Sequence, residues 1–338
     1  MSPGKIQRRN GKILRVNGKV ARDCCCDESV AVAGWLAGSP VASVWRFLKG
    51  SQTWTYDTGN GTEAIALDAA GNVYVGGFPA GSPAKNVWKL DAEGNLLWDF
   101  CTESTRRVRG IAVDASGNVY VVGQRPPVAP RASVWKLNPD GTQAWQYDTG
   151  ESTRAVAVDP SGNVLVAGTA TSVKTFWKLN SSGSLLWSML AVHRAVASDS
   201  EGNIYLAGNW SRTPPYHNTY KYDPDGNLIW GHSTGQQTML AIAVDADKNV
   251  YVAGARAGTP LKNVWKLDAD GNAVWDYYTG GPYMYGVALD REGNVFVAGD
   301  GVAWGDSVWQ LDQSGAFLWG AHPTTARAIA AAPIWLTR

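Results

Sequence analysis

Long apolar runs, a helical apolar period and well-spaced cysteines are what this 338-residue chain lacks. No apolar stretch approaches the roughly 20 residues of a membrane-spanning helix, so insertion by such helices is not expected. The start of the chain is basic, but the apolar stretch of about 7–15 residues that a secretory signal places next is missing. Synthesis in a cytoplasm, without Sec-type export, is the expectation. Three of the four cysteines are consecutive, Cys24, Cys25 and Cys26, and Cys101 stands alone. Adjacent thiols form strained disulfides, and no second pair at zinc-ligand spacing accompanies them. The run is read as small, semi-buried residues, and no metal is assigned. His193, His217, His232 and His322 show no ligand spacing. Phosphate-loop, nucleophile-elbow and zinc-protease motifs are also missing, so no catalytic residue and no cofactor is assigned.

Glycine and tryptophan, by contrast, are abundant and periodic, with 38 and 17 copies. The phrase Gly71-Asn72-Val73-Tyr74-Val75 returns as Gly117-Asn118-Val119-Tyr120-Val121 and Gly162-Asn163-Val164-Leu165-Val166, with further copies from Gly202, Lys248 and Gly293. Behind each of these six copies, and once more ahead of the first, come two aromatic positions about ten residues apart. The second of them is Trp54, Trp98, Trp145, Trp187, Trp230, Trp275 and Trp319, at steps of 44, 47, 42, 43, 45 and 44 residues. Each unit spells four short runs of alternating apolar and small or polar residues, bounded by Gly, Asn, Asp and Pro, which is the strand-and-hairpin signature. A period in the forties with four strands per unit predicts an all-β fold, a β-propeller of four-stranded blades.

The ends complete each other. Val30-Ala31-Val32-Ala33-Gly34 matches a second strand that lacks its first, and Arg327-Ala328-Ile329-Ala330-Ala331 matches a first strand with no blade after it. Joined, they make a seventh blade and close the ring, removing an exposed sheet edge. The predicted organisation is a basic arm with the cysteine triplet over residues 1–28, then a seven-bladed propeller over 29–338. The arm carries Lys5, Arg8, Arg9, Lys12, Arg15, Lys19 and Arg22 against Asp23, in a chain whose net charge is +1. Such a run suits docking to a neighbour or to an anionic surface.

A propeller puts its strand 1–2 and 3–4 turns on one face, and its strand 2–3 and blade-to-blade loops on the other. The turn face is uniform in sequence. The opposite face varies, in loops 78–86, 124–133, 209–218 and 300–306, which marks it as the binding face. Around the channel mouth on that face, the residues opening the seven first strands are Arg327, Glu63, Arg109, Arg154, Arg194, Leu240 and Tyr285. Four guanidinium forks in one ring suit a carboxylate, phosphate or sulfate; the alternative is that they bond backbone carbonyls and loop acids such as Glu103 and Glu151. Trp210 and Trp304, outside the paired register, are candidate sugar or protein anchors. Asp68, Asp114, Asp159, Asp199, Asp245 and Asp290, which end the first strands, read as turn formers rather than calcium ligands. The recurring cations Arg46, Lys89, Lys136, Lys178, Lys221 and Lys266 are expected to tie to those aspartates, and the tryptophan pairs to pack between blades.

The run Gly110-Ile111-Ala112-Val113-Asp114, continued by Gly117-Asn118-Val119-Tyr120-Val121 and by Val134-Trp135-Lys136-Leu137-Asn138-Pro139-Asp140-Gly141 with Trp145, resembles the bacterial β-propeller repeat family and the related NHL-type repeats. That resemblance implies a binding scaffold. The tryptophan-rich outer strands are also similar to quinoprotein propellers, whose cofactor pocket has adjacent cysteines beside it; here the adjacent cysteines lie in the arm, so that cofactor is not carried over. The opening from Gly11 to Ala21 resembles leaders of small phage and environmental bacterial proteins. The expectation is a non-enzymatic interaction module, a structural or receptor- or glycan-recognition component of a large assembly such as a phage tail or virion. Its partners would be other subunits and an anionic glycan or host receptor, not nucleic acid. The alternative is a channel-mouth enzyme, a lyase, hydrolase or quinoprotein-like protein, in which Arg109, Arg154 and Arg194 clamp an anion while His193 or Tyr285 moves protons.

Overall fold

The computed structural model describes residues 15–16, 19–20, 29–34, 43–102, 106–127, 129, 131–168, 174–190, 193–209, 216–235, 238–258, 261–301, 306–322 and 326–331. Among these, every regular element is a β-strand: seven four-stranded antiparallel sheets and one ribbon pairing Arg15–Val16 with Lys19–Val20. The chain is a seven-bladed β-propeller. Blade 1 joins Ala326–Ala331 to Ser29–Gly34 in antiparallel register, followed by Val44–Leu48 and Ser51–Tyr56. Blades 2 to 7 open with Thr62–Leu67, Val108–Val113, Thr153–Val158, His193–Ser198, Met239–Val244 and Met284–Leu289. The expected loop 78–86 is mostly ribbon: Val73–Ala80 and Lys85–Leu90 pair as far as Ala80 and Lys85, leaving 81–84 as the connection. Val250–Ala257 and Lys262–Leu267 extend blade 6 in the same way.

The turn face is held by the first-strand aspartates. In blade 3, Asp114 Oδ1 accepts the N–H groups of Ser116 and Asn118, while Oδ2 accepts the Asn118 amide and the Tyr120 hydroxyl. These four bonds fill the carboxylate's lone-pair sites, and Gly117 at φ 80° supplies the left-handed residue that the turn requires. Tyr74, Tyr205 and Tyr251 donate to Asp68, Asp199 and Asp245 in the same way.

The repeating cations do not, in general, reach those aspartates, which corrects the expectation. Lys89, Lys136, Lys221 and Lys266 stand 5.0–5.3 Å over the faces of Tyr74, Tyr120, Tyr205 and Tyr251. Beyond the rings, Lys89, Lys136 and Lys221 donate to carbonyls of the next blade, at Pro139, Ser181 and Ala269. Arg46 in blade 1 donates to the Gly71 carbonyl and the Ser29 hydroxyl. The tyrosine hydroxyl already occupies Oδ2 where it is present. Blade 4 has Leu165 instead, and there Lys178 lies 3.1 Å from Asp159 Oδ2.

Tryptophan joins blade to blade as expected. The fourth-strand indoles of Trp54, Trp98, Trp145, Trp230 and Trp275 donate to carbonyls of the next blade's outer turn. Each ring lies flat on the glycine of that turn; a Cβ on Gly141 would sit 2.8 Å from Trp98. The third-strand rings pack the other way, Trp135 being buried against Tyr74 and Val87 of blade 2. Truncating such a ring costs on the order of 3–5 kcal/mol. The core is therefore a circle of blade-to-blade interfaces.

Candidate functional site at the channel mouth

Because side chains alternate along a strand, positions i and i+2 of each first strand both face the channel. The upper ring is Arg327, Glu63, Arg109, Arg154, Arg194, Leu240 and Tyr285, and all seven line one cavity of about 740 Å³. Two residues below lies a collar of β-branched side chains, Ile329, Ile65, Ile111, Val156, Val196, Ile242 and Val287, lining the same cavity. The ring of charge thus stands over an apolar floor, which screens it less on that side than water would.

Two lining residues lie just before the first strands, two places ahead of a ring position, and were not anticipated. Arg107 precedes the first strand of blade 3, and its Nη1 bonds Glu63 Oε1 at 2.7 Å, while its guanidinium stands 5.4 Å from the Phe78 ring centroid. Tyr283 precedes the first strand of blade 7 and stacks on Tyr285, centroids 6.3 Å apart and planes 21° apart. A faint signal for both existed in the sequence, as bulky residues two places upstream of a ring position.

The acid of the ring is thus already engaged by Arg107, whereas two ring arginines are not satisfied. Nε of Arg109 and Nε of Arg154 are buried with no hydrogen-bond partner among the described residues. Arg194 Nε donates to the amide oxygen of Asn209 at 3.0 Å, a neutral partner. Burial, then the neighbouring charges of Arg194 and Arg109, lower the Arg154 guanidinium to about 10. Burial followed by repulsion from Arg107 lowers Arg109, and burial lowers Arg194. Arginine titrates so high that all three stay cationic at neutral pH. An anion seated between them would relieve the repulsion and fill the empty donors together.

The other side of the ring is aromatic. Arg327 lies over the Tyr285 ring at 4.2 Å, and the Tyr285 hydroxyl donates to Asp300 Oδ2 at 2.8 Å. Burial and that hydrogen bond raise the Tyr285 pKa, away from proton transfer near neutrality. His193 precedes Arg194 but turns from the channel into the blade, where its ring lies 5.0 Å from that of Tyr220. Complete burial drives its pKa down to about 3. Trp210, Trp304, Glu103, the cysteine triplet and arm residues Lys5, Arg8, Arg9, Lys12 and Arg22 lie outside the described residues. Arg15 and Lys19 belong to the small ribbon. Cys101 is a partly buried free thiol.

No family model matches the chain, and no curated protein matches its sequence. Among solved structures it is similar to a protein of unknown function from Bacteroides caccae, with 16% identity, a TM-score of 0.52 and coverage of 73% of this chain and 92% of that one. It is also similar to virginiamycin B lyase from Staphylococcus aureus, with 10% identity, a TM-score of 0.58 and coverage of 78% and 84%. BamB from Moraxella catarrhalis matches with 16% identity over 88% of this chain and 83% of that one, at a TM-score of 0.49. The first two likenesses support a β-propeller repeat fold and, at such identities, the fold alone.

Proposed function

We propose that this chain is a non-enzymatic binding module whose recognition centre is the channel mouth, and that it takes an anionic group displayed by a partner. The observation that carries this reading is the pair of buried, unpartnered Nε donors on Arg109 and Arg154 beside Arg194, among the described residues. A structural ion-pair network would have used those donors; a receptor site leaves them for its ligand. The setting that fits best is a recognition component of a larger assembly such as a phage tail or virion, with an acidic glycan or host receptor as target and residues 1–28 docking the module to its neighbours.

A lyase reading draws on the named activity of the Staphylococcus aureus neighbour, but it needs a proton carrier at the mouth. Tyr285 is raised in pKa and hydrogen-bonded, and His193 is buried away from the cavity. Both weigh for binding over chemistry.

The test is an array of sulfated, phosphorylated and carboxylated glycans beside their neutral counterparts. Binding restricted to acidic members, weakened by salt and reduced about a hundredfold in the Arg109→Ala, Arg154→Ala, Arg194→Ala triple variant, is expected. Equal binding by the triple variant would overturn the reading. Deleting residues 1–22 is expected to leave the ring folded and glycan binding intact while abolishing incorporation into the native particle.

A further inference from the structure

The mouth is not uniformly cationic. Arg109, Arg154 and Arg194 occupy three consecutive blades, 3 to 5, whereas blades 6 and 7 contribute Leu240, Tyr283 and Tyr285. The aromatic wall is held rigidly. Tyr285 is fixed by Arg327 on its face, by Asp300 at its hydroxyl and by its stack on Tyr283. The Tyr283 backbone bridges to Ala255 of blade 6, and its carbonyl accepts the Asp300 N–H at 2.9 Å. Yet Tyr283 is 47% exposed. A rigid aromatic surface left open inside a cavity loses little entropy on binding and offers a stacking face.

Resting on the anion-binding reading above, we infer that the mouth selects a ring-bearing organic anion: a flat or cyclic apolar body stacked on Tyr283 above the β-branched floor, with its carboxylate, sulfate or phosphate held by Arg109 and Arg154. Inorganic anions satisfy only the arginine half, and neutral rings satisfy only the aromatic half. The cavity of about 740 Å³ accepts a fused bicyclic body with its acid group.

The full chain titrated with 2-naphthoate, acetate and 2-naphthamide, followed by ligand-observed NMR, tests this. 2-Naphthoate is expected to bind at least about tenfold more tightly than either other probe, the scale of a good aromatic pair or a charge-assisted hydrogen bond. Tyr283→Ala is expected to bring naphthoate down to the level of acetate, and Arg154→Met to bring it down to the level of naphthamide. If acetate matches naphthoate and both weaken in Arg154→Met, ring selection is overturned and anion binding stands. If naphthamide matches naphthoate, the anion reading falls as well. Failure of naphthoate to bind overturns the inference, and should Tyr283→Ala not fold, the wild-type ratios decide.

Discussion

The two faces of this ring treat polar groups in opposite ways. On the turn face, each carboxylate of Asp68, Asp114, Asp199 and Asp245 accepts both backbone and side-chain donors, including a tyrosine hydroxyl. On the mouth face, the buried Nε donors of Arg109 and Arg154 have no partner among the described residues, and the two guanidinium groups repel one another. Satisfied polar groups hold a fold together; unsatisfied ones cost it stability and await something else. Position in the ring thus separates architecture from recognition, although both faces are built from the same seven strands.

The comparison is sharpest as a difference of sign. Asp114→Ala strands four donors and is expected to cost about 4 kcal/mol, read as a lowered denaturation midpoint. Arg154→Met removes a repelled, partly buried charge and is expected to raise stability by about 1 kcal/mol after allowance for solvent screening, while ligand binding drops. A loss of stability in Arg154→Met would erase the distinction between the faces.

A second measure uses pH. His193 begins the blade 5 strand that carries Arg194, and its folded pKa, about 3, lies below the ordinary imidazole value. Between those values the unfolded chain binds the proton and the native ring does not, so stability falls as pH falls through that window. From pH 6.5 to pH 4 the loss is expected to be about 3 kcal/mol. Chemical denaturation across that range should show this slope in the wild type and a flatter one in His193→Gln. Equal slopes would mean that the imidazole is hydrated in solution.

The smallest effect lies within the turn face. Blade 7 has Phe296 and Gln310 where blades 2, 3, 5 and 6 have tyrosine and lysine, and burial raises the pKa of its Asp290. Phe296→Tyr restores a donor to that carboxylate and is expected to stabilise by about 0.7 kcal/mol, detectable as a small upward shift of the thermal midpoint.

Blade number, closure by Arg327–Ala331 and the seven ring positions were legible in the sequence, because period-two alternation on a repeated strand fixes which side chain meets the axis. Arg107 and Tyr283 were not, since they sit just before their strands, in stretches that read as blade-to-blade connection. The lysine ties were misassigned for a related reason. The distance from Lys136 to Asp114 is a matter of which group gets there first, and the Tyr120 hydroxyl does. Repetition reports positions; competition among neighbours decides partners.

The closing strand also has a consequence in time. Arg327, which lies over the Tyr285 ring at the junction of blades 1 and 7, belongs to the strand that pairs with Ser29–Gly34. A ribosome delivers that strand after every other blade has emerged. Until it docks, the ring lacks its seam and the aromatic wall lacks its cation, so a nascent or truncated chain presents an incomplete mouth. Ligand competence therefore waits on the docking of that one strand.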